Sequence, residues 1–120
     1  MFDYHRFFLD NGLEVIVHED SSSKIAVFNL LYKVGSRFEQ PGKTGLAHFF
    51  EHLMFGSSAH VPEFDRELER VGGSCNAFTS PDITNYYMTL PSSNLETAFW
   101  LESDRMAQLS LTEKTIETQR

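Results

Sequence analysis

Cysteine is nearly absent; Cys75 is the single one. One thiol excludes an internal disulfide and a four-cysteine zinc site, so any zinc in this chain must be held by histidine and carboxylate. Its simplest role is that of a small buried side chain. Basic residues are also scarce. Lys and Arg number 10 against 17 Asp and Glu, a net charge of −7 with the two signs interspersed. A nucleic-acid partner calls for a basic stripe, and the sequence has none. No apolar run approaches the ~18–20 residues of a membrane span. The segment Met1-Phe-Asp-Tyr-His-Arg6 lacks the long apolar stretch of a secretory signal. Internal repeats, low-complexity tracts and linkers are missing too. These absences favour a soluble protein, with the cytoplasm ahead of the periplasm.

Core-forming material is plentiful. Hydrophobic residues make up 41% of 120, and 11 are Phe, enough for one compact domain. Phe7–Leu9 and Leu13–His18 read as strands around Asn11-Gly12, the strongest short hairpin signal. Ile25–Val34 is a long β-rich run, expected as a central strand. A loop with Pro41-Gly42 follows, and Thr44 is the expected N-cap of a helix ending near Gly56. A second helix is expected over Glu63–Val71, between Pro62 and Gly72-Gly73. Ser74–Ser80 and Thr84–Leu90 read as a hairpin of strands. Ser93 with Glu96 offers a capping box for a helix to about Leu109. Its core-facing stripe is expected at Leu95, Ala98, Phe99, Glu102, Met106 and Leu109, with Trp100 off the stripe. Thr112 caps a last helix. The order β-β-β-α-α-β-β-α predicts an α+β fold, helices laid on one face of a mostly antiparallel sheet. A chain that stops inside a predicted helix suggests a truncated domain.

The most informative run is Gly45-Leu-Ala-His-Phe-Phe-Glu-His-Leu-Met-Phe55. It contains H-x-x-E-H, the reversed zinc-peptidase motif. On a helix each residue advances ~100°, so with His48 at zero His52 lies at roughly +40° and Glu51 at roughly −60°. All three share one face. Leu46, Phe49, Phe50, Leu53 and Met54 form an apolar back that must be buried. Two histidines one turn apart can reach a single zinc ion at ~2.0–2.1 Å. A neighbouring carboxylate suits general-base work on a water polarised by the metal. The plain alternative is a solvent-facing stripe that happens to read His, Glu, His.

Several spaced segments together resemble the pitrilysin-type zinc peptidases, the group of insulysin and the mitochondrial processing peptidases. They are Gly35-Ser-Arg37, Thr44–Phe55, Gly73-Ser-Cys-Asn-Ala-Phe-Thr79 and Asn85-Tyr-Tyr87. The resemblance runs from the first hairpin to Arg120. It implies that His48 and His52 are zinc ligands and that Glu51 is the general base. It also implies a third ligand, a glutamate, roughly seventy-five residues after His52 and so beyond Arg120. Glu102 and Glu117 could substitute by chemistry, or be ordinary helix carboxylates.

Cys75–Thr79 is similar to the family's edge strand that pairs with substrate backbone, by addition of an extended peptide to an open sheet edge. This makes Asn76, Ala77, Phe78 and Thr79 substrate-binding candidates. The other reading has Asn76 and Thr79 as polar positions alternating with core residues Ala77 and Phe78. Phe55 falls on the ligand face, either lining an apolar pocket for a substrate side chain, with Phe78, or packing on the next loop. His5, His18 and His60 read as surface residues.

The resemblance thus implies that residues 1–120 are the N-terminal part of one zinc-peptidase catalytic domain. Its substrate would be a peptide or unfolded polypeptide, enclosed with a second homologous half or partner subunit. Two alternatives stand beside it: a non-catalytic partner or structural subunit of the same fold, and a peptide-binding module.

Overall fold

The computed structural model describes residues 3–119. Strands β1 (His5–Phe8) and β2 (Glu14–Val17) pair antiparallel, His5 opposite Val17 and Phe8 opposite Glu14. Gly12 takes φ 86° in the turn, and the Asn11 side chain accepts the Leu13 N–H at 3.0 Å. The Asn-Gly pair therefore does what its chemistry suggests. This hairpin is a sheet of its own. The main sheet contains β3 (Ile25–Tyr32), β4 (Ser74–Thr79) and β5 (Thr84–Pro91) in the order β3-β5-β4, antiparallel throughout.

The central strand is β5, not β3 as the apolar run 25–34 suggested. β3 is greasy on both faces, but only alternate residues turn inward. Ile25, Val27 and Leu31 remain 59, 67 and 47% exposed. β5 buries Thr84, Asn85, Tyr86, Met88 and Leu90 because strands flank it on both sides. Its register sets Met88 opposite both Phe28 and Cys75.

Helices α1 (Leu46–Met54), α2 (Phe64–Arg70) and α3 (Leu95–Ala107) contact the main sheet. The fourth helix, α4 (Glu113–Gln119), packs against α1. The core joins Val61, Phe64 and Leu68 around α2 with Met88 and Leu90 of β5 and Ala98 and Leu101 of α3. Each large apolar side chain buried this fully stabilises the fold by about 1.5–3 kcal/mol. Gly73 sits against α2 so closely that a Cβ would overlap the Leu68 side chain. Gly72, with φ 76°, makes the sharp exit from α2 into β4. Among the described residues no helix is long and apolar enough to cross a membrane.

Three caps and faces differ from expectation. Thr44 does not cap α1. The Glu39 carboxylate reaches in from the preceding loop and accepts the Gly45 N–H at 2.7 Å and the Ala47 N–H at 2.8 Å. Gly45 itself has φ 88°, a turn that a β-carbon would strain. Ser93 lies in a short 3-10 turn, Ser92–Asn94, and Asn94 takes the cap position of α3. The Asn94 amide donates to Val71 O at 3.0 Å, so it ties α3 to the end of α2 instead of capping. The buried stripe of α3 is Ala98, Leu101, Glu102 and Arg105, while Phe99 and Met106 are 56 and 48% exposed. A guanidinium was not expected inside. It is accommodated because Glu102 neutralises it one turn earlier.

Candidate metal centre and the neighbouring edge strand

α1 carries the motif. Its four-residue spacing stacks His48 on His52, ring centroids 4.8 Å apart and planes within 11°. Their Nε2 atoms approach to 2.9 Å, and both residues are exposed. At that separation one ring N–H donates a hydrogen bond to the other ring's nitrogen, or a cation takes the proton's place. Two nitrogens on a tetrahedral zinc, each ~2.0–2.1 Å from the ion, stand roughly 3.3 Å apart. The observed pair is close enough that a small ring rotation closes the difference, so the donor set fits zinc. Among the described residues no further His, Cys, Asp or Glu completes a three-ligand cluster. Glu102 is committed elsewhere, to Arg105, and Glu117 lies on α4.

Glu51 is half-buried beside the histidines, and the Thr79 hydroxyl donates to its Oε2. Thr79 is the last residue of β4 and pairs with Thr84 of β5. The motif helix is thus pinned to the sheet through the carboxylate between its two histidines. Tyr86 lies deeper, its ring 6.2 Å from that of Phe55. Burial pushes the Tyr86 phenol above its ordinary value; the neighbouring Arg105 guanidinium opposes the shift, and the negative charge of Glu51 adds to it.

β4 is an edge strand that pairs with β5. Cys75, Ala77 and Thr79 turn toward the helices, and Ser74, Asn76 and Phe78 are exposed. The Asn76 side chain accepts the Ala77 N–H at 2.8 Å. Phe78 is 47% exposed, so it is not a core residue. Phe55, the C-cap of α1, lines a cavity of about 240 Å³ with Asp65, Leu68, Glu69, Cys75 and Asn76. Phe78 is outside that lining, and the two carboxylates make the walls more polar than the apolar pocket that was one of the two readings of Phe55. The Cys75 thiol is pushed up to about 12, first by burial and then by its hydrogen bond to Asp65.

A larger cavity, about 820 Å³, opens on the other flank of α1, between Leu46, Phe50 and Met54 and the segment 105–111. Neither histidine lines it. Leu46 and Phe50 face it and stay 45 and 48% exposed, so only Leu53 and Met54 of the expected apolar back are fully buried.

Sequence reasoning missed two clusters. The Arg105 guanidinium is buried against the end of α1, a position that a helical stripe of apolar residues cannot reveal. His60 is exposed yet fixed: its ring Nδ1 lies 2.6 Å from Asp104 Oδ1, and its backbone N–H donates to Oδ2 at 3.0 Å. Ser58 Oγ donates to the same carboxylate at 2.5 Å. These bonds, that from Ser58 most of all, hold the Asp104 carboxyl down at about 2. Asp104 lies 46 and 44 residues from Ser58 and His60, so the cluster gave no local signal.

The sequence profile of Insulinase (Peptidase family M16) matches residues 14–120. The zinc protease PqqE of Helicobacter pylori is 42% identical over 108 residues, which cover 88% of this chain and 24% of that protein. A probable mitochondrial-processing peptidase subunit beta of Arabidopsis thaliana is 34% identical over 114 residues, 93% of this chain and 22% of the relative. The crystal structure of pitrilysin superposes with a TM-score of 0.89 at 30% identity, over 98% of this chain and 13% of that one. The chain therefore spans about a quarter of the length of the two relatives. Fold, motif and profile agree: the chain belongs to the insulinase family of peptidases, family M16.

Proposed function

We propose that the full-length protein is a zinc-dependent metalloendopeptidase and that residues 1–120 are the N-terminal part of its catalytic domain. The observation that carries this reading is the 2.9 Å convergence of His48 and His52 Nε2 on an exposed helix face, with Glu51 beside them. His48 and His52 would hold the zinc, and a glutamate beyond Arg120 would complete the protein ligands. Zinc, when bound, supplies a Lewis acid that polarises the scissile carbonyl and makes water easier to deprotonate.

Glu51 is the general base. Thr79 donates to one of its oxygens, which fixes the rotamer and leaves the other oxygen to take a proton from water and pass it to the leaving amine. No side chain attacks the carbonyl, so no acyl-enzyme forms. The substrate, a peptide or unfolded polypeptide, adds as a strand to the edge of β4, along Asn76, Ala77, Phe78 and Thr79. The Ala77 N–H, now bonded to Asn76, is a donor such a strand could take over. Phe55 and its cavity would receive a substrate side chain. A second homologous half or a partner subunit would close over the site; a relative named as a processing-peptidase subunit supports that part of the reading.

The test is Glu51→Gln in the full-length protein. Zinc content should stay at the wild-type level while peptide hydrolysis falls by about three orders of magnitude or more. Wild-type rates would remove Glu51 from the role of base.

A further inference from the structure

Arg105 is the most deeply buried cation among the described residues, its side chain 2% exposed, and the proposed chemistry does not use it. It is held on every side. Nε donates to Glu102 Oε2 at 2.8 Å, and Nη2 donates to Glu102 Oε1. The guanidinium lies 4.3 Å from the Phe64 ring centroid, 4.7 Å from that of Tyr86 and 5.8 Å from that of Phe55. Its remaining arm, Nη1, donates to Met54 O at 3.2 Å.

Met54 is the last residue of α1, so no later helical N–H is available to its carbonyl. A cation there also complements the negative end of the helix dipole. His52 lies two residues earlier, and Glu51 three. We propose that Arg105 is a positioning residue. It clamps the last turn of the motif helix to α3 and to the aromatic cluster, and so fixes where His52 and Glu51 stand. This inference rests on the zinc-peptidase reading for its catalytic consequence, but the clamp itself does not depend on metal.

The chemistry of the arrangement needs arginine. A planar fork can grip both Glu102 oxygens and still extend an N–H to Met54, with its faces free to stack on aromatic rings. Lysine, with one ammonium group, cannot do all of these together. Removing Arg105 alone would strand a buried carboxylate and unfold the region for an uninformative reason. The informative variant replaces both partners, Arg105→Met with Glu102→Leu, since a buried ion pair exchanged for apolar residues of similar volume commonly folds as well or better.

The experiment compares wild type, Arg105→Met/Glu102→Leu and Arg105→Lys in the full-length protein. The readouts are thermal midpoint, amide hydrogen exchange in the peptide covering residues 50–56, zinc affinity by chelator competition, and steady-state peptide kinetics. The double variant should keep its midpoint yet exchange at least roughly tenfold faster in that segment and bind zinc about tenfold more weakly. Its kcat should fall by about 10–100-fold with KM within roughly twofold, because a small misplacement of the base harms chemistry and not binding. Arg105→Lys should fold and give an intermediate exchange rate. Unchanged exchange and zinc affinity in the double variant, with the midpoint preserved, would overturn the proposal. So would full protection in Arg105→Lys, if the double variant failed to fold. Faster exchange in a protein that binds no zinc even as wild type would uphold the clamp and refute the metal reading instead.

Discussion

The Thr79 hydroxyl donates to the Glu51 carboxylate, joining the last residue of β4 to the middle of the motif helix. The edge strand and the proposed base are therefore one mechanical unit. Thr79→Val keeps the shape and removes the donor. It should lower kcat roughly tenfold, the scale of a hydrogen bond to a charged group, with zinc content unchanged. Thr79→Ser should restore most of the rate. Steady-state kinetics on the two variants, with metal analysis, tests this.

Glu39 caps α1 from outside the helix. The backbone N–H groups of Ala47 and Gly45 hold its carboxyl below the ordinary 4.5. A depressed folded-state value means stability that is present above the unfolded value and lost as pH falls through the folded one. Glu39→Gln should therefore melt lower than wild type at pH 7. The gap should narrow as pH falls below the ordinary 4.5 and close once the lowered wild-type carboxyl has protonated in the folded state as well. Thermal melts of the pair from pH 7 to pH 3 read this directly. A constant gap would show that charge is irrelevant to the cap.

The Cys75 thiol, raised to about 12, stays protonated at neutral and mildly alkaline pH. Because the thiolate is the nucleophile, alkylation by iodoacetamide at pH 8 should be slower in the native protein than in urea-unfolded protein by about 100-fold or more. Asp65→Asn removes the negative charge and replaces one acceptor oxygen with an N–H donor, and should raise the native rate. Equal native and unfolded rates would show the thiol to be exposed and ordinary.

Much of the fold was legible because its signals are local. Asn11-Gly12 marked the first hairpin, Pro62 and Gly72-Gly73 bracketed α2, and Pro81-Asp82 marked the β4–β5 turn. Helix periodicity alone put His48, Glu51 and His52 on one face. What stayed hidden is tertiary. Strand order was one such case: β3 has the more apolar sequence, but β5 is central because it hydrogen-bonds on both sides. Glu39 replaced Thr44 as a cap from a position six residues before Gly45, outside any capping pattern. Helical spacing put Glu102 on the core-facing stripe, but Arg105, which enters the core as its neutralising partner, is a cation that no hydrophobic count anticipates. Phe99 and Met106, placed on the core stripe by spacing, yielded it to Leu101 and Arg105.

The account depends on two imidazoles one helical turn apart sharing a cation. X-ray absorption spectroscopy of the zinc-loaded full-length protein tests that most directly. The wild type should show scattering from two imidazoles at ~2.0–2.1 Å, reduced to one in His48→Ala or His52→Ala, each with weaker metal retention. Undiminished two-imidazole scattering and wild-type zinc stoichiometry in the His48→Ala/His52→Ala protein would contradict it.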